Sequence, residues 1–359
     1  MYKILVVNDD EPVRRLLRLQ LRQIDCEVTT STGAAAISTS IKFIPDMVLL
    51  DIEMPEVNGF EVLRELRSYN EFKDTPVIML SSSADETTIM NAFKGGVNDY
   101  ILKPFNTSVL FGKIIAWQDA GIETQWTVLS HEQEKVLRLL KVMMDEAFEN
   151  TRRSTPLSAA AIRNACEILY LTIETEGAGA IVRAVAGYNT TVFLHSLLMC
   201  VYIMLFTIYK GYAKDDVIDM AMGGLLHDIG SVKVPNNVLF KPGKLDITEY
   251  KDTVLHVQYG TEIMDKTQGL PQVVKNICRY HHERMDGSGY EGMKAEKICT
   301  EARLAAIVET YCAVTGKKLN SESKTSADAL SYMMSLRGQL DPKLLEDFKE
   351  AVLNNFKVN

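Results

Sequence analysis

The segment Asp46-Met47-Val48-Leu49-Leu50-Asp51-Ile52-Glu53 sets a run of four apolar residues between acidic ones. An apolar run of this length with polar flanks is typical of a strand that is buried on both faces. Similar runs recur through the first 120 residues, at 4–7, 28–30, 77–80 and 100–102. Amphipathic helical patterns, such as 13–24 and 60–69, separate them. Five strand–helix units predict a doubly wound α/β fold with a five-stranded parallel sheet.

Polar side chains follow four of these predicted strands. Asn8, Asp9 and Asp10 follow the first, Asp51 the third, Ser81 the fourth and Lys103 the fifth. Because the carboxyl ends of parallel strands meet at one edge of the sheet, these side chains are expected to converge there. Three carboxylates that lie so close together favour a bound cation, and their oxygens suit Mg²⁺.

The stretch 46–55, together with Asn58-Gly59-Phe60 and the segment 100–105 (Tyr-Ile-Leu-Lys-Pro-Phe), resembles the receiver domain of response regulators. The resemblance implies that a cognate histidine kinase phosphorylates Asp51. It also implies that Asp9, with Asn8 or Asp10, binds Mg²⁺ together with the backbone carbonyl of Glu53. Ser81 would respond to the phosphoryl group on Asp51, and Lys103 would form an ion pair with that group. Asn8 stands where the family has an acid. The alternative is a receiver-like fold that is never phosphorylated.

Composition restricts the other possibilities. The chain has 359 residues, 47% of them hydrophobic, and a net charge of −8. The first 120 residues carry 12 basic and 17 acidic side chains, or −5, and the remainder carries −3. Since neither part is basic, DNA is not an expected partner. Six cysteines without a Cys-x-x-Cys pair, and an N-terminus that enters a strand pattern directly, favour a cytoplasmic protein without a signal peptide.

Residues 192–209 are almost all apolar and nearly long enough to span a membrane. They include His195 and Ser196 and lack a basic flank on the N-terminal side. A core helix is therefore the expectation, without membrane insertion.

A polar stretch at 119–130 predicts a domain boundary. We expect a receiver domain at 1–120, a linker and connecting helix at 121–157, and a helical domain at 158–359. In the connecting helix Val136, Leu140, Met143 and Ala147 recur at a four-three-four spacing, which fits an ordinary core helix and a homodimer seam equally well. His131, at the polar start of this helix, is expected to face solvent.

Histidines concentrate in the second half of the chain. Of six in total, five lie between residues 195 and 282, and two of these adjoin acidic residues in His227-Asp228 and His281-His282-Glu283. Imidazole and carboxylate groups without nearby thiolate pairs form a ligand set for Fe, Mn or Zn. Helical patterns at 213–226 and 302–314 surround them, which predicts an all-α domain.

Several segments of this region resemble the HD-GYP domain, a branch of the HD metal-dependent phosphohydrolases. They are 226–230 (Leu-His-Asp-Ile-Gly), 238–245, His256 with Gly260, and 281–290. The resemblance implies hydrolysis of cyclic di-GMP or a related cyclic dinucleotide. It implies the metal ligands His195, His227, Asp228, His256, His281, His282 and Glu309, the last in place of the family's Asp. Thr191 stands where three-metal members have Glu, so two metals are expected.

The substrate-binding positions depart from that family. Ser231 replaces a Lys that contacts the scissile phosphate, Glu291 replaces the Pro of Gly-Tyr-Pro, and Lys318-Leu319-Asn320-Ser321 replaces an Arg-Pro-Tyr-basic run. The expected catalytic and substrate contacts are Asp228, Ser231, Lys233, Arg284, Asp286, Gly289, Tyr290 and Lys318. Loss of the Lys charge predicts slow turnover.

Three functions fit these features. The first is a phosphorylation-controlled phosphodiesterase of cyclic di-GMP. The second is a degenerate domain that binds metal or nucleotide and signals through contacts with a diguanylate cyclase or other signalling proteins. The third is hydrolysis of another nucleotide, as in the wider HD superfamily. Turnover of cyclic di-GMP distinguishes the first two, and a panel of nucleotides tests the third.

Overall fold

The computed structural model describes residues 2–24, 26–83, 85–105, 107–122, 126, 129–186, 192–239, 241, 245–316, 324–336 and 338–354. The chain divides into two compact units. The first contains residues 1–118 and the short segment 240–243, and the second contains the rest of the chain. Lys318 and Thr191 lie outside the described residues.

The first unit is built on a parallel sheet with the strand order β2-β1-β3-β4-β5. Its strands are β1 Tyr2–Val7, β2 Cys26–Ser31, β3 Met47–Asp51, β4 Val77–Ser81 and β5 Asp99–Leu102. Its helices are α1 Glu11–Leu21, α2 Ala36–Phe43, α3 Gly59–Ser68, α4 Glu86–Lys94 and α5 Thr107–Ile122. Each predicted apolar run lies within one strand, and the predicted doubly wound fold is confirmed.

Both faces of this sheet are buried. On one face Leu5, Val48 and Val77 pack against Val62 and Leu66 of α3. The alternate residues of the same strands, which face the other way, are also fully buried; they include Ile4, Val6, Leu49 and Ile78. This double burial explains why the strands appear in the sequence as continuous apolar runs.

Gly59 allows α3 to start against the end of β3. A Cβ atom at this position would lie 2.3 Å from the backbone oxygen of Asp51. Asn58 caps the helix, since its side chain accepts a hydrogen bond from the Phe60 amide at 2.9 Å. The backbone around Asp51 is thereby fixed by close packing.

The second unit is helical. Its helices are α6 His131–Arg152, α7 Ala159–Glu176, α8 Gly179–Ala186, α9 Val192–Tyr209, α10 Lys214–Leu226, α11 Asn236–Leu239, α12 Ile247–Lys266, α13 Gln272–Tyr280, α14 Thr300–Thr315, α15 Ser326–Ser335 and α16 Pro342–Asn354. Short 3₁₀ turns occupy Ile229–Lys233 and Ala295–Lys297. The predicted all-α architecture is confirmed.

The apolar helix α9 runs through the core of this unit. It packs against α8, α10, α14 and α16, and 72% of its residues are buried. Within the described residues it is the single helix long and apolar enough to cross a membrane. Because neighbouring helices bury α9, its almost entirely apolar composition is that expected of a core helix.

Helix α6 also belongs to this core. Ser130 and Gln133 form a capping box at its start. Val136, Leu140 and Ala147 are buried against the other helices, and Met143 packs partly buried on the same cluster. The residues at four-three-four spacing therefore pack inside a single chain. Their burial there favours the core-helix interpretation over a homodimer seam. His131 is exposed, as predicted.

Candidate metal centre

Seven side chains expected to bind metal converge in the second unit. They come from the first turn of α9, the end of α10, the middle of α12, the end of α13 and the body of α14. The seven are His195, His227, Asp228, His256, His281, His282 and Glu309. Residues up to 114 positions apart in sequence thus share one site.

Two glycines allow the segments that carry these ligands to approach. A Cβ atom at Gly230 would lie 2.0 Å from the His256 carbonyl oxygen and 2.5 Å from the Gly260 amide nitrogen. A Cβ atom at Gly260 would lie 2.7 Å from Cys278 Sγ. The 3₁₀ turn after Asp228 therefore packs directly on the α12 backbone, which brings Asp228 beside His256.

Backbone carbonyls fix the tautomers of three histidines. Nδ1 of His227 lies 2.8 Å from the Gly224 oxygen, and Nδ1 of His256 lies 2.6 Å from the Thr253 oxygen. Nδ1 of His281 lies 3.0 Å from the Cys278 oxygen. A carbonyl can only accept, so each Nδ1 carries a proton, and in the neutral ring Nε2 is then the nitrogen with the lone pair, which is the usual arrangement for metal-ligating histidines.

These lone pairs face other acceptors. His256 Nε2 lies 3.4 Å from His281 Nε2 and 3.1 Å from Asp228 Oδ1. Asp228 Oδ1 is also 3.8 Å from His281 Nε2. Three acceptors without a proton between them repel one another unless a cation lies among them. This donor set therefore fits a divalent metal ion.

The ligands fall into two groups that share one carboxylate. The ligand atoms of Asp228, His256, His281 and His282 lie within 4.8 Å of one another, and so do those of His195, His227 and Asp228. Glu309 adjoins the second group, with Oε2 at 2.7 Å from His195 Nε2 and 3.5 Å from His227 Nε2. Asp228 is thus common to both ligand groups.

The surroundings shift the pKa values of four of these groups, two histidines and two carboxylates. Burial lowers the pKa of His281 well below its usual value and that of His282 to about 3. Burial alone would raise the pKa of Asp228 and Glu309, but the neighbouring histidines lower both, and Glu309 falls well below its usual range. Neutral imidazoles and ionised carboxylates are what a metal ion requires.

Sequence reasoning missed Glu283, which organises the loop after His282. Its side chain is 2% exposed. Oε1 accepts a hydrogen bond from the Glu291 amide at 2.7 Å, and Oε2 accepts one from the Met293 amide at 2.8 Å. The Glu291 amide is available only because this chain lacks the family's Pro here. A carboxylate next to two histidines was the signal, but a metal role explained it equally well.

Replacing Glu283 with Gln is expected to loosen residues 289–293. Gln has one acceptor oxygen, so one of the two amides loses its buried partner, at a cost of about 1–3 kcal/mol. Hydrogen exchange of the Glu291 and Met293 amides should speed up accordingly. Glu296→Gln, at an exposed position in the same loop region, should leave both rates unchanged. Unchanged protection in Glu283→Gln would show that these hydrogen bonds do not hold the loop.

Tyr290 and Arg284 lie beside the metal ligands. The Tyr290 ring centre is 4.3 Å from that of His282 and 6.1 Å from that of His256. Arg284 is largely enclosed, with Nη1 3.5 Å from the Ala306 oxygen. Burial lowers the pKa of Arg284 while the negative charge of Glu309 opposes that shift. The guanidinium therefore lies against α14, three residues before the metal ligand Glu309.

Two other expected substrate residues have structural contacts instead. Asp286 is exposed, and its Oδ1 accepts hydrogen bonds from the Ser288 hydroxyl at 2.6 Å and amide at 3.0 Å. Gly289 packs so closely that a Cβ atom would lie 2.5 Å from Glu283 Cα. Asp286 shapes the turn, and Gly289 allows the loop to fold back on the helix end.

The three expected phosphate-binding positions differ. Ser231 is buried in the 3₁₀ turn, where its amide donates to the Asp228 carbonyl at 2.9 Å. Lys233 is engaged elsewhere, because Nζ donates to Ser154 Oγ at 2.7 Å and lies over the Tyr259 ring. The expectation that Lys233 meets the phosphate is not supported, since the 3₁₀ turn directs it towards the end of α6. Lys318 lies outside the described residues.

In the first unit, the predicted polar residues surround Asp51. Lys103 Nζ lies 2.6 Å from Asp51 Oδ1, and Asn8 Nδ2 donates to Asp51 Oδ2. Asp51 is 4% exposed. Burial raises the pKa of this carboxyl, and the Lys103 ammonium opposes the shift. The centre of the site is thus a buried carboxylate with an amide at one oxygen and an ammonium at the other.

Glu53 takes a contact that the sequence did not predict. Its Oε1 accepts hydrogen bonds from the Ser81 hydroxyl at 2.6 Å and the Ser82 amide at 2.9 Å, and its Oε2 lies 3.5 Å from Lys103 Nζ. Burial alone would raise the pKa of Glu53, but these partners lower it. The Glu53 side chain therefore joins the network around Asp51, and the predicted role of its backbone carbonyl in binding Mg²⁺ stays a prediction.

Of the two acids after β1, Asp9 alone turns a free oxygen inward. Asp9 Oδ1 accepts from the Gly33 amide at 2.9 Å, while Oδ2 is buried and, among the described residues, without a hydrogen-bond partner. Asp10 instead caps α1 by accepting from the Val13 amide at 3.3 Å. A buried carboxylate oxygen without a donor fits a cation such as Mg²⁺.

Comparison with known families gives two matches. The model of the response regulator receiver domain matches residues 4–115. The model of the HD domain matches residues 209–344. The two matched regions contain Asp51 and all of the convergent metal ligands except His195.

Several named proteins are similar to this chain over all or part of its length. The cyclic di-GMP phosphodiesterase response regulator RpfG of Xanthomonas campestris is 29% identical over 354 residues, covering 96% of this chain and 86% of that protein. A cyclic di-GMP phosphodiesterase of Thermotoga maritima is 24% identical, with coverage of 96% and 89%. The 3'3'-cGAMP-specific phosphodiesterase 2 of Vibrio cholerae is 34% identical over 139 residues, covering 38% of this chain and 27% of that protein.

Proposed function

Because this chain belongs to the response regulators and carries a receiver domain followed by an HD domain, we propose that it is a phosphorylation-controlled, metal-dependent phosphodiesterase. Its substrate is cyclic di-GMP, which it hydrolyses to linear pGpG, GMP or both. The substrate follows from the relatives that match the chain almost end to end and are named for it.

The observation that carries this proposal is the shared carboxylate. Asp228 belongs to both ligand groups, and the histidine lone pairs face each other without donors. Two Fe, Mn or Zn ions bound there would supply Lewis-acid activation of water and phosphate. His195, His227 and Glu309 would hold one ion, and His256, His281 and His282 the other.

The protein's own side chains would orient the phosphodiester. Arg284 supplies positive charge next to the ligands, and Tyr290 limits the space beside His282. Ser231 offers a neutral hydroxyl three residues after Asp228, where a cation would stabilise the transition state more. The chain therefore combines a full set of metal ligands with weak electrostatic stabilisation of the phosphate.

The test is a turnover assay with a nucleotide panel. Full-length protein loaded with Mn²⁺ or Fe²⁺ should hydrolyse cyclic di-GMP faster than 3'3'-cGAMP or a deoxynucleoside triphosphate. Preference for another nucleotide would place the chain with other hydrolases of the HD superfamily. A protein that binds metal and cyclic di-GMP without cleaving it would be a binding module.

We also propose that Asp51 is the phosphoacceptor and that Mg²⁺ is bound by Asp9 with Asn8. Support comes from the buried, unpartnered Asp9 Oδ2 and from Lys103 beside Asp51. Phosphorylation of Asp51 adds negative charge in contact with Lys103. This charge competes with Glu53 for Lys103 and so changes the contacts among Lys103, Glu53 and Ser81. The change in that network is the origin of control over turnover.

Acetyl phosphate with Mg²⁺ should phosphorylate the parent protein, and Asp51→Asn should remain unlabelled, because the amide cannot accept the phosphoryl group. Asp74→Asn, an exposed site on the same domain, should label like the parent. Phosphate incorporation followed by mass spectrometry measures this. Equal labelling of Asp51→Asn would mean that another residue is the acceptor.

Partners and boundaries follow as proposals. The receiver domain implies a histidine kinase partner, and we propose a cytoplasmic protein that works without DNA. We place the receiver at 1–120, the connection at 121–157 and the HD-type domain at 158–359. Helix α6, which follows the receiver in the sequence, packs on the 3₁₀ turn after Asp228.

A further inference from the structure

A row of aromatic rings leads away from the metal ligands. The His282 and Tyr290 ring centres are 4.3 Å apart and the rings are inclined by 33°. The Tyr250 ring follows, with its centre 6.2 Å from that of Tyr290 and nearly perpendicular to it. Tyr250 is the fourth residue of α12, the helix that also carries His256.

Tyr250 is held in place and remains open to solvent. Its amide donates to the Asp246 carbonyl at 2.9 Å, and Asp246 and Glu249 form a capping box that fixes this end of α12. Yet Tyr250 is 52% exposed, and Ile247, three residues earlier on the same helix face, is 79% exposed. An exposed apolar surface on a capped helix end therefore lies one aromatic ring, Tyr290, away from the metal ligand His282.

We propose that Tyr250 is a specificity-determining residue that stacks on one guanine of the cyclic dinucleotide, with Ile247 extending the apolar surface. The inference rests on the proposed phosphodiesterase function. In a nucleotide one ribose separates the base from its phosphate, so a phosphodiester at the metal ligands extends its base away from them. Tyr290 and then Tyr250 lie along one such direction, and Tyr250 is the ring of the two that is open to solvent.

Physical chemistry favours this use of the side chain. Tyr offers a large, flat surface with little conformational freedom to lose, and stacking between a base and an aromatic ring contributes about 1–3 kcal/mol. The ring surface rather than the hydroxyl supplies this energy. Phe should therefore replace Tyr at this position, while Ala should not.

The experiment compares Tyr250→Ala, Tyr250→Phe and Tyr332→Ala with the parent, all as full-length, metal-loaded protein. Tyr332 is 43% exposed on α15 and serves as a matched surface control. For cyclic di-GMP we expect Tyr250→Ala to raise KM about 5- to 150-fold, the equivalent of the stacking energy. The effect on kcat should be smaller, and the metal content should stay the same. Tyr250→Phe and Tyr332→Ala should match the parent.

Each other outcome is decisive. An unchanged KM in Tyr250→Ala, or an equal rise in Tyr332→Ala, overturns the stacking role. If the parent binds cyclic di-GMP without cleaving it, the same ratio is read from Kd, and the stacking role stands while the proposed turnover fails. A parent that hydrolyses bis(p-nitrophenyl) phosphate but neither binds nor cleaves cyclic di-GMP overturns both the stacking role and the proposed substrate.

Discussion

Asp228→Ala is expected to lose both metal ions and at least about 10³-fold in turnover of cyclic di-GMP. Among the described residues, Asp228 is the one ligand common to both groups. Its Oδ1 lies 3.1 Å from His256 Nε2 and 3.8 Å from His281 Nε2. Without this carboxylate, each ion loses a ligand and the two ions lose the negative charge between them. Metal ions contribute several kcal/mol to such reactions, and about 4 kcal/mol corresponds to 10³-fold in rate.

Metal content by mass spectrometry and turnover should be measured on the same Asp228→Ala sample. Asp265→Ala provides the matched control, since this aspartate lies on the outer surface of α12, with its side chain 66% exposed. It should keep two ions and the parent's rate. Two ions retained by Asp228→Ala would contradict the bridging role. The variant's circular dichroism shows whether the helical fold depends on the ions.

Ser231→Lys is expected to raise turnover of cyclic di-GMP by about 10²–10³-fold with the metal content unchanged. Ser231 lies three residues after Asp228, and its amide is bound to the Asp228 carbonyl. The four-carbon side chain of the introduced lysine can pack along the apolar surroundings of position 231 and extend its ammonium towards the phosphate of cyclic di-GMP. A charged donor stabilises the developing negative charge more than a hydroxyl does. Lys233 does not fill this role, because Ser154 and Tyr259 hold it.

Ser231→Met separates charge from packing. Met adds a side chain of similar length to the same 4% exposed position but brings no charge, so it should give no gain. Thermal unfolding of both variants measures the strain that the larger side chain introduces. If the parent is already fast and Ser231→Lys is no faster, another group neutralises the phosphate. Equal gains from Lys and Met would point to packing rather than charge.

The strands of the sheet were predictable because their burial on both faces leaves a signal in a few consecutive residues. Strands buried on both faces must be apolar throughout, and the run 47–50 gives β3 to within one residue. Helix α9 needed tertiary information, since a segment of 18 almost entirely apolar residues suits both a membrane and a protein core. Only the packing of α8, α10, α14 and α16 around it distinguishes the two.

The composition of the candidate site was predictable, whereas the directions of its side chains were not. Histidines and acids can be counted in a sequence, and the structure brings the expected ones together. After Asp228, however, the chain enters a 3₁₀ turn that directs Lys233 to Ser154. Glu283 looked like part of a metal motif, but its two loop hydrogen bonds appear only in three dimensions.

The most direct test of the bimetallic phosphodiesterase is a metal titration. Metal-free protein receives increasing Mn²⁺, and the hydrolysis of cyclic di-GMP is measured against the number of ions bound per chain. The two ligand groups around Asp228 predict little activity with one ion and a rate that saturates when two are bound, with pGpG or GMP as product. Two bound ions per chain and no hydrolysis of cyclic di-GMP would contradict that function.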